Sequence, residues 1–174
     1  MDDKIFRENK VSKELEFVGD FEGLYSQESD PWHQSASESS DYQDYYEASR
    51  SRLINLISKI EAPKILEIGC GLGHVLYAIK SNCRNVELSG MDISLTAVRK
   101  AKERFPEFNF ILSDIRQCDK KYKNCFDLII VSQMLWYILE DLETVFNNVD
   151  QYLNENGYVV VTQAFFKEKQ RYGS

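Results

Sequence analysis

Residues 64–74 read Lys64-Ile65-Leu66-Glu67-Ile68-Gly69-Cys70-Gly71-Leu72-Gly73-His74, and this stretch decides the fold. An apolar run, Ile65, Leu66 and Ile68, meets glycines at alternate positions, Gly69, Gly71 and Gly73, and a helix-like segment follows. Glycine accepts positive φ and lets a ligand approach the backbone closely. A strand that feeds such a loop and then a helix is how open α/β sheets build ligand crevices at their strand ends.

The spacing is G-x-G-x-G, not the G-x-G-x-x-G of dinucleotide sites, and Glu67 stands two residues before the first glycine. In a dinucleotide fold that place lies near a pyrophosphate, which is held by helix N-termini and backbone N–H groups. A fixed negative charge there opposes a phosphate and suits a ligand carrying an ammonium and a sulfonium. The acidic-x-Gly-x-Gly-x-Gly pattern resembles motif I of the class I S-adenosylmethionine (SAM) methyltransferases. The competing reading is a tight strand–helix turn with no ligand.

Working outward, strands and helices alternate. Residues 41–60 carry Leu53, Leu56, Ile57 and Ile60 at helical spacing, with Tyr42 and Tyr46 extending the stripe, and Pro63 leads into the first sheet strand. Helices are expected over 73–82 and 94–105, the second capped by Ser94. Strands are expected over 86–91 and 108–112. Leu128 to Val131, led in by Phe126 and Asp127, is the continuous apolar run of a strand buried on both faces. Ile138, Leu142, Val145, Phe146, Val149 and Leu153 give a long helix, and Gly157 starts a last strand, Tyr158 to Thr162. This order implies right-handed crossovers and a Rossmann-like, doubly wound, mainly parallel sheet.

Three expected strand ends carry an acid: Glu67, Asp92 and Asp114. Ligands bind at such ends in open α/β sheets. Any one alone is weak, since Asp is common in turns and caps, and Asp92 could serve only to cap the helix near Ser94. Together with the glycine loop they are harder to dismiss. The class I resemblance implies a cofactor-binding set of Glu67, Gly69, Cys70, Gly71, Gly73, Asp92, Ile93, Asp114, Ile115, Ser132 and Gln133. In it, Asp92 accepts from the ribose hydroxyls and Asp114 from the adenine amino group. The Ile115 N–H meets a ring nitrogen, and Ile93 packs on the adenine face. Ser132 and Gln133 either contact the methionine end of SAM or cap the next helix. Trp136 is either packing or a pocket wall. SAM is the implied cofactor and S-adenosylhomocysteine its product.

From Gly23 to Asp41 the chain is rich in Ser, Asp, Glu and Gln, the composition of a surface loop or mobile lid. Tyr25, Trp32, His33, Tyr42, Tyr45 and Tyr46 concentrate aromatics there. The Asp30-Pro31-Trp32 and Tyr45-Tyr46-Glu47 stretches resemble the nodulation-type N-methyltransferases that act on chitooligosaccharides, and related bacterial sugar methyltransferases. That implies a saccharide acceptor, with Tyr25, Trp32 and Trp136 binding substrate. Aromatic faces stack on sugar rings or cover cations; for Tyr42 and Tyr46, anchoring of the helix is the preferred reading. Of the two histidines, His33 is the better candidate for a catalytic base, and His74 serves structure or borders SAM. The division is then 1–40 as a lid and 41–174 as the SAM-binding domain.

Composition sets the outer limits. The 174 residues suit one domain. A net charge of −7 argues against a nucleic-acid partner, as does the absence of the Asn-Pro-Pro-Tyr motif of nucleic-acid amino methyltransferases. Four cysteines lack metal-site spacing, so free thiols in the cytoplasm and no metal are expected. No apolar run has the roughly 18 residues of a membrane span. Class I sheets usually add two strands after the fifth. Their apparent lack here suggests a fragment, or a second copy or partner covering the fifth-strand edge. The class I resemblance implies a methyltransferase for N or O atoms of a small acceptor, with a SAM-binding, non-catalytic module as the alternative.

Overall fold

The computed structural model describes residues 3–35 and 40–164. Its centre is a five-stranded sheet built from β3 (Lys64–Ile68), β4 (Glu87–Asp92), β5 (Asn109–Leu112), β6 (Phe126–Ser132) and β7 (Leu153–Thr162), in the order β5-β4-β3-β6-β7. Every neighbouring pair is parallel. Helices α3 (His74–Asn82), α4 (Leu95–Arg104) and α5 (Leu142–Tyr152) make the crossovers, and α2 (Ser40–Ile57) precedes β3.

The period-2 side-chain alternation of strands divides the core into two layers. Ile65, Leu128 and Ile130 face one layer, with Leu53, Ile57, Leu76, Ile79, Val98 and Ala101 from α2, α3 and α4. Leu66, Ile68, Ile129 and Val131 face the other, against Val145, Val149 and Tyr152 of α5. Leu66, Leu128, Ile129, Ile130 and Val131 are fully excluded from solvent, each burial contributing about 1.5–3 kcal/mol. Asp127 ties three strand starts together: its Oδ2 accepts from Lys64 N at 2.9 Å and its Oδ1 from Asn154 Nδ2 at 2.7 Å.

The N-terminal region carries regular structure, part of it reaching into the 23–41 stretch expected as a loop. Two three-residue strands, β1 (Phe6–Glu8) and β2 (Leu15–Phe17), pair antiparallel, and α1 (Phe21–Gln27) follows. Asn9 holds the hairpin turn, its Oδ1 accepting from Val11 N and Ser12 N at 2.9 and 3.1 Å. Asp20 caps α1 by accepting from Gly23 N at 2.8 Å. The helix is fixed by Leu24 and Tyr25, which are buried against the rest of the molecule. Residues 36–39, at the end of the expected lid loop, lie outside the described residues, as does the Tyr42 side chain.

Smaller differences have local causes. Leu56 is 48 % exposed and leaves the α2 stripe. The stretch after β6 makes two 3-10 turns, Leu135–Tyr137 and Leu139–Asp141, before α5 begins at Leu142. β7 starts at Leu153, earlier than Gly157 suggests, because its first residues pair irregularly with β6 before regular register from Tyr158. On β7, Tyr158, Val159 and Val161 are exposed; residues 165–174 lie outside the described residues.

Candidate active site

The carboxyl ends of β3, β4, β5 and β6 open on a cavity of about 280 Å³. Gly69 and Cys70 donate their N–H groups to Met91 O at 2.8 and 3.1 Å, which lashes the glycine loop to the end of β4. Gly69 and Gly71 both have positive φ, 69° and 50°. A Cβ on Gly69 would stand 2.7 Å from Met134 Sδ, and one on Gly71 would stand 2.6 Å from the Tyr25 hydroxyl. The positive φ and the close neighbours together favour glycine at both places.

Asp92 lines this cavity. Its Oδ2 accepts from Gly71 N at 2.8 Å and its Oδ1 from Ser94 N at 2.9 Å. Each oxygen keeps a second lone pair, since a carboxylate accepts at about four sites. Burial raises its pKa, against the lowering effect of those backbone donors. Asp92 does not itself cap α4; the Ser94 hydroxyl does, accepting from Ala97 N at 3.1 Å.

Glu67 lies beneath the loop, 3 % exposed, and its Oε2 has no hydrogen-bond partner among the described residues. Burial, then the nearby Asp92 charge, pushes its carboxyl well above the usual range. An acid so placed is short of a cation or donor. Asp114 and Ile115 also line the cavity. Burial pushes Asp114 up, but Arg116 outweighs it and holds the carboxyl below its ordinary value. The guanidinium grips Asp114 through Nε and Nη2 at 3.0 and 2.8 Å. Asn148 on α5 donates to Ile115 O at 2.7 Å and fixes that loop from below.

Ser132 and Gln133 line the far wall. Ser132 Oγ accepts from Thr162 Oγ1 at 3.0 Å, and Gln133 Oε1 accepts from Ala164 N at 2.9 Å. Gln133 has φ +56°, a left-handed kink that ends β6. The roof is aromatic. Phe17, Phe21, Tyr25, Trp32, Tyr45, Tyr46 and Tyr137 border the cavity, with Phe21 edge-on to Tyr137 at 5.2 Å.

Of the residues singled out in the sequence, the crevice gathers Gly69, Gly71, Asp92, Ile93, Asp114, Ile115, Ser132, Gln133, Tyr25 and Trp32. Others fall outside its lining, Glu67 among them, buried beneath the glycine loop. Cys70 is buried behind the loop against Gly90, and Gly73 is the N-cap of α3, packed on Phe105 and Phe110. Trp136 packs with the N-terminal aromatic cluster. His33 is exposed and is not itself among the lining residues, though its neighbours Trp32 and Gln34 are. His74 pairs with Arg104 Nη1 at 2.7 Å, and burial followed by the Arg104 charge lowers its pKa to about 4, so it is a neutral structural acceptor. Met134, Tyr137 and Arg116 were not singled out. Only the position of Met134 and Tyr137 in the segment after β6 pointed to them.

A glycine loop at the mouth of a parallel sheet, acids at successive strand ends and a buried carboxylate with one oxygen unpartnered among the described residues mark a doubly wound α/β domain whose crevice suits a nucleoside carrying positive charge. Residues 61–172 match the family described as Methyltransferase domain. The chain belongs to that family, as a class I SAM-dependent methyltransferase domain, the class for which SAM is the cofactor.

A release factor glutamine methyltransferase of Fusobacterium nucleatum is 30% identical over 123 residues, 66% of this chain and 34% of that protein. A carboxy-S-adenosyl-L-methionine synthase of Campylobacter concisus is 28% identical over 182 residues, 98% of this chain and 70% of that protein. The chain thus spans about a third of the first relative's length. The N-methyltransferase NodS from Bradyrhizobium japonicum, solved with S-adenosylhomocysteine, superposes with a TM-score of 0.65 at 22% identity, covering 80% of this chain and 71% of that one. The PH0226 protein from Pyrococcus horikoshii gives 0.65 at 23%, covering 81% and 65%. At these identities the likeness carries the fold alone.

The residues present fit SAM. The unpartnered Glu67 Oε2 suits its ammonium or sulfonium, and Asp92 retains lone pairs for hydroxyl donors.

Proposed function

We propose that the protein transfers a methyl group to a nitrogen or oxygen atom of a small acceptor, with a saccharide as the favoured class. The observation that supports this most is the aromatic roof facing the acid-lined floor across one cavity. SAM when bound supplies an electrophilic methyl on a sulfonium, so the acceptor brings only a lone pair. Asp92 holds the ribose and Asp114 the adenine amino group. Glu67 balances the cofactor's positive charge. Trp32, Tyr45 and Tyr137 exclude water and offer ring faces for a sugar. Residues 1–40 act as the lid and 41–174 as the SAM-binding domain, with the exposed edge of β7 covered by a second copy or another chain.

His33 lies outside the cavity lining, so no side-chain base is assigned: an amine acceptor enters as its free base and sheds its proton to water after transfer, and a hydroxyl acceptor gives its proton to water as the C–O bond forms. The same observation favours a second reading, a SAM-binding module without turnover. Methyl-labelled SAM and a panel of amino- and hydroxyl-bearing saccharides separate the two. Label in an acceptor, with S-adenosylhomocysteine formed in equal amount, supports transfer. SAM binding with no labelled acceptor across the panel supports the module.

A further inference from the structure

The Tyr25 side chain is the buried polar group that the roles above leave least explained. It is 3 % exposed and packs on Leu72 and Ala97. Its hydroxyl rests directly on Gly71, at the place a Cβ would fill. Trp32 Nε1 donates to that hydroxyl oxygen at 2.9 Å. This uses acceptor capacity and leaves the phenol's own proton without an acceptor among the described residues. Burial, with the Asp92 charge adding to it, pushes the phenol well above its ordinary pKa, so the group stays a neutral donor at working pH. A buried donor with no acceptor is costly, and native structures rarely leave one unexplained.

The segment carrying Tyr25 is clamped. Lys100 Nζ donates to Tyr25 O at 2.6 Å and to Glu28 O at 2.7 Å. Glu22 accepts from Ser94 Oγ at 2.7 Å and from Thr96 N at 3.1 Å. Both ends of α1 are thereby tied to α4, and the phenol is pre-positioned at the glycine loop. Asp92, though near, accepts from Gly71 N and Ser94 N and makes no hydrogen bond with the phenol, so the missing acceptor belongs to whatever occupies the cavity.

We propose that Tyr25 is a ligand-recognition residue whose O–H donates to the carboxylate of the cofactor's amino-acid moiety above Gly71. The proposal rests on the SAM reading of the crevice. The polar parts of SAM divide accordingly: the ribose goes to Asp92, the adenine amino group to Asp114, and the ammonium to Glu67. The carboxylate is then the part that needs a donor, and Tyr25 is the buried donor available. Cofactor binding and docking of the N-terminal segment are thermodynamically coupled through this bond, each favouring the other.

The test compares SAM with 5′-methylthioadenosine, which keeps the adenosine and the sulfur but lacks the amino acid, by calorimetry on the full chain. Tyr25→Phe should weaken SAM on the order of tenfold, as expected for loss of a hydrogen bond to a charged group, and leave 5′-methylthioadenosine unchanged. Trp32→Phe, which frees the phenol to rotate, should weaken SAM less, with the same selectivity, and it serves if Tyr25→Phe does not fold. Equal losses for both ligands, or none for SAM, would overturn the proposal and leave the SAM reading standing. Wild-type protein that binds neither ligand would overturn both.

Discussion

Replacing Glu67 with Gln should stabilise the cofactor-free protein and weaken cofactor binding at once. In the folded chain the carboxylate is enclosed, has an oxygen without a partner, and feels the charge of Asp92. Its folded pKa lies above the unfolded value of 4.5. Folding therefore opposes its ionisation, and stability tied to this group is greatest at low pH and lost as pH rises above 4.5 toward the folded pKa. Glutamine keeps the shape and removes the charge. Relief of one buried, incompletely paired group corresponds to about 1–3 kcal/mol. For a domain of this size that raises Tm by roughly 2–10 °C. The same change removes the counter-charge for a cationic ligand, so SAM affinity should fall. Differential scanning calorimetry at pH 7.5, with and without SAM, reads both effects. A variant less stable than wild type, with undiminished SAM affinity, would refute the reasoning and make Glu67 a purely structural residue.

Other perturbations give equally direct readings. Gly71→Ala places a Cβ 2.6 Å from the Tyr25 hydroxyl at φ +50°, so it should cost about 1–2 kcal/mol of stability through backbone strain alone and displace the phenol; urea melts and SAM titration check this. His74 has a folded pKa of about 4 against 6.5 unfolded; its contribution is full above pH 6.5 and lost as pH falls toward 4, about 1–2 kcal/mol after allowing for solvent screening. His74→Gln should accordingly flatten the dependence of the urea midpoint between pH 7 and pH 4.5, and an unchanged slope would remove His74 as the cause. Hydrogen bonds from Thr96 and then Ser94 hold Glu22 down to about 2. The latch persists above pH 4.5 and is lost as pH falls toward 2, and Glu22→Gln should speed proteolysis of the 3–35 segment several-fold at pH 7.

The central sheet was legible because burial on both faces forces continuous apolar strands such as Leu128 to Val131, and because the glycine loop marks where the first of them ends. Asp92 and Asp114 were legible for the same reason: polar residues at the ends of buried strands stand out. The β1–β2 hairpin was not. Its strands are three residues long, rich in charge, and held by an Asn9 turn and by aromatic contacts distant in sequence, such as Phe17 with Tyr137 at 6.2 Å. Helix α1 was masked by polar composition, since only Leu24 and Tyr25 of its seven residues are buried. Tyr25 and Trp32 were picked out as aromatics in a polar stretch, but the bond between them and the contact with Gly71 depend on tertiary placement. The Asp114–Arg116 grip is a two-residue spacing too common on surfaces to be read as a feature of the site.

The central claim is that this crevice is built for a cationic, phosphate-free nucleoside, and isothermal titration calorimetry of the full chain against SAM and NADH tests it most directly. The account predicts saturable one-to-one binding of SAM and no heat from NADH. It also predicts that Asp92→Asn weakens SAM by about 1–3 kcal/mol through the hydrogen bonds of one carboxylate oxygen. No binding of SAM, or tighter binding of NADH, would contradict it.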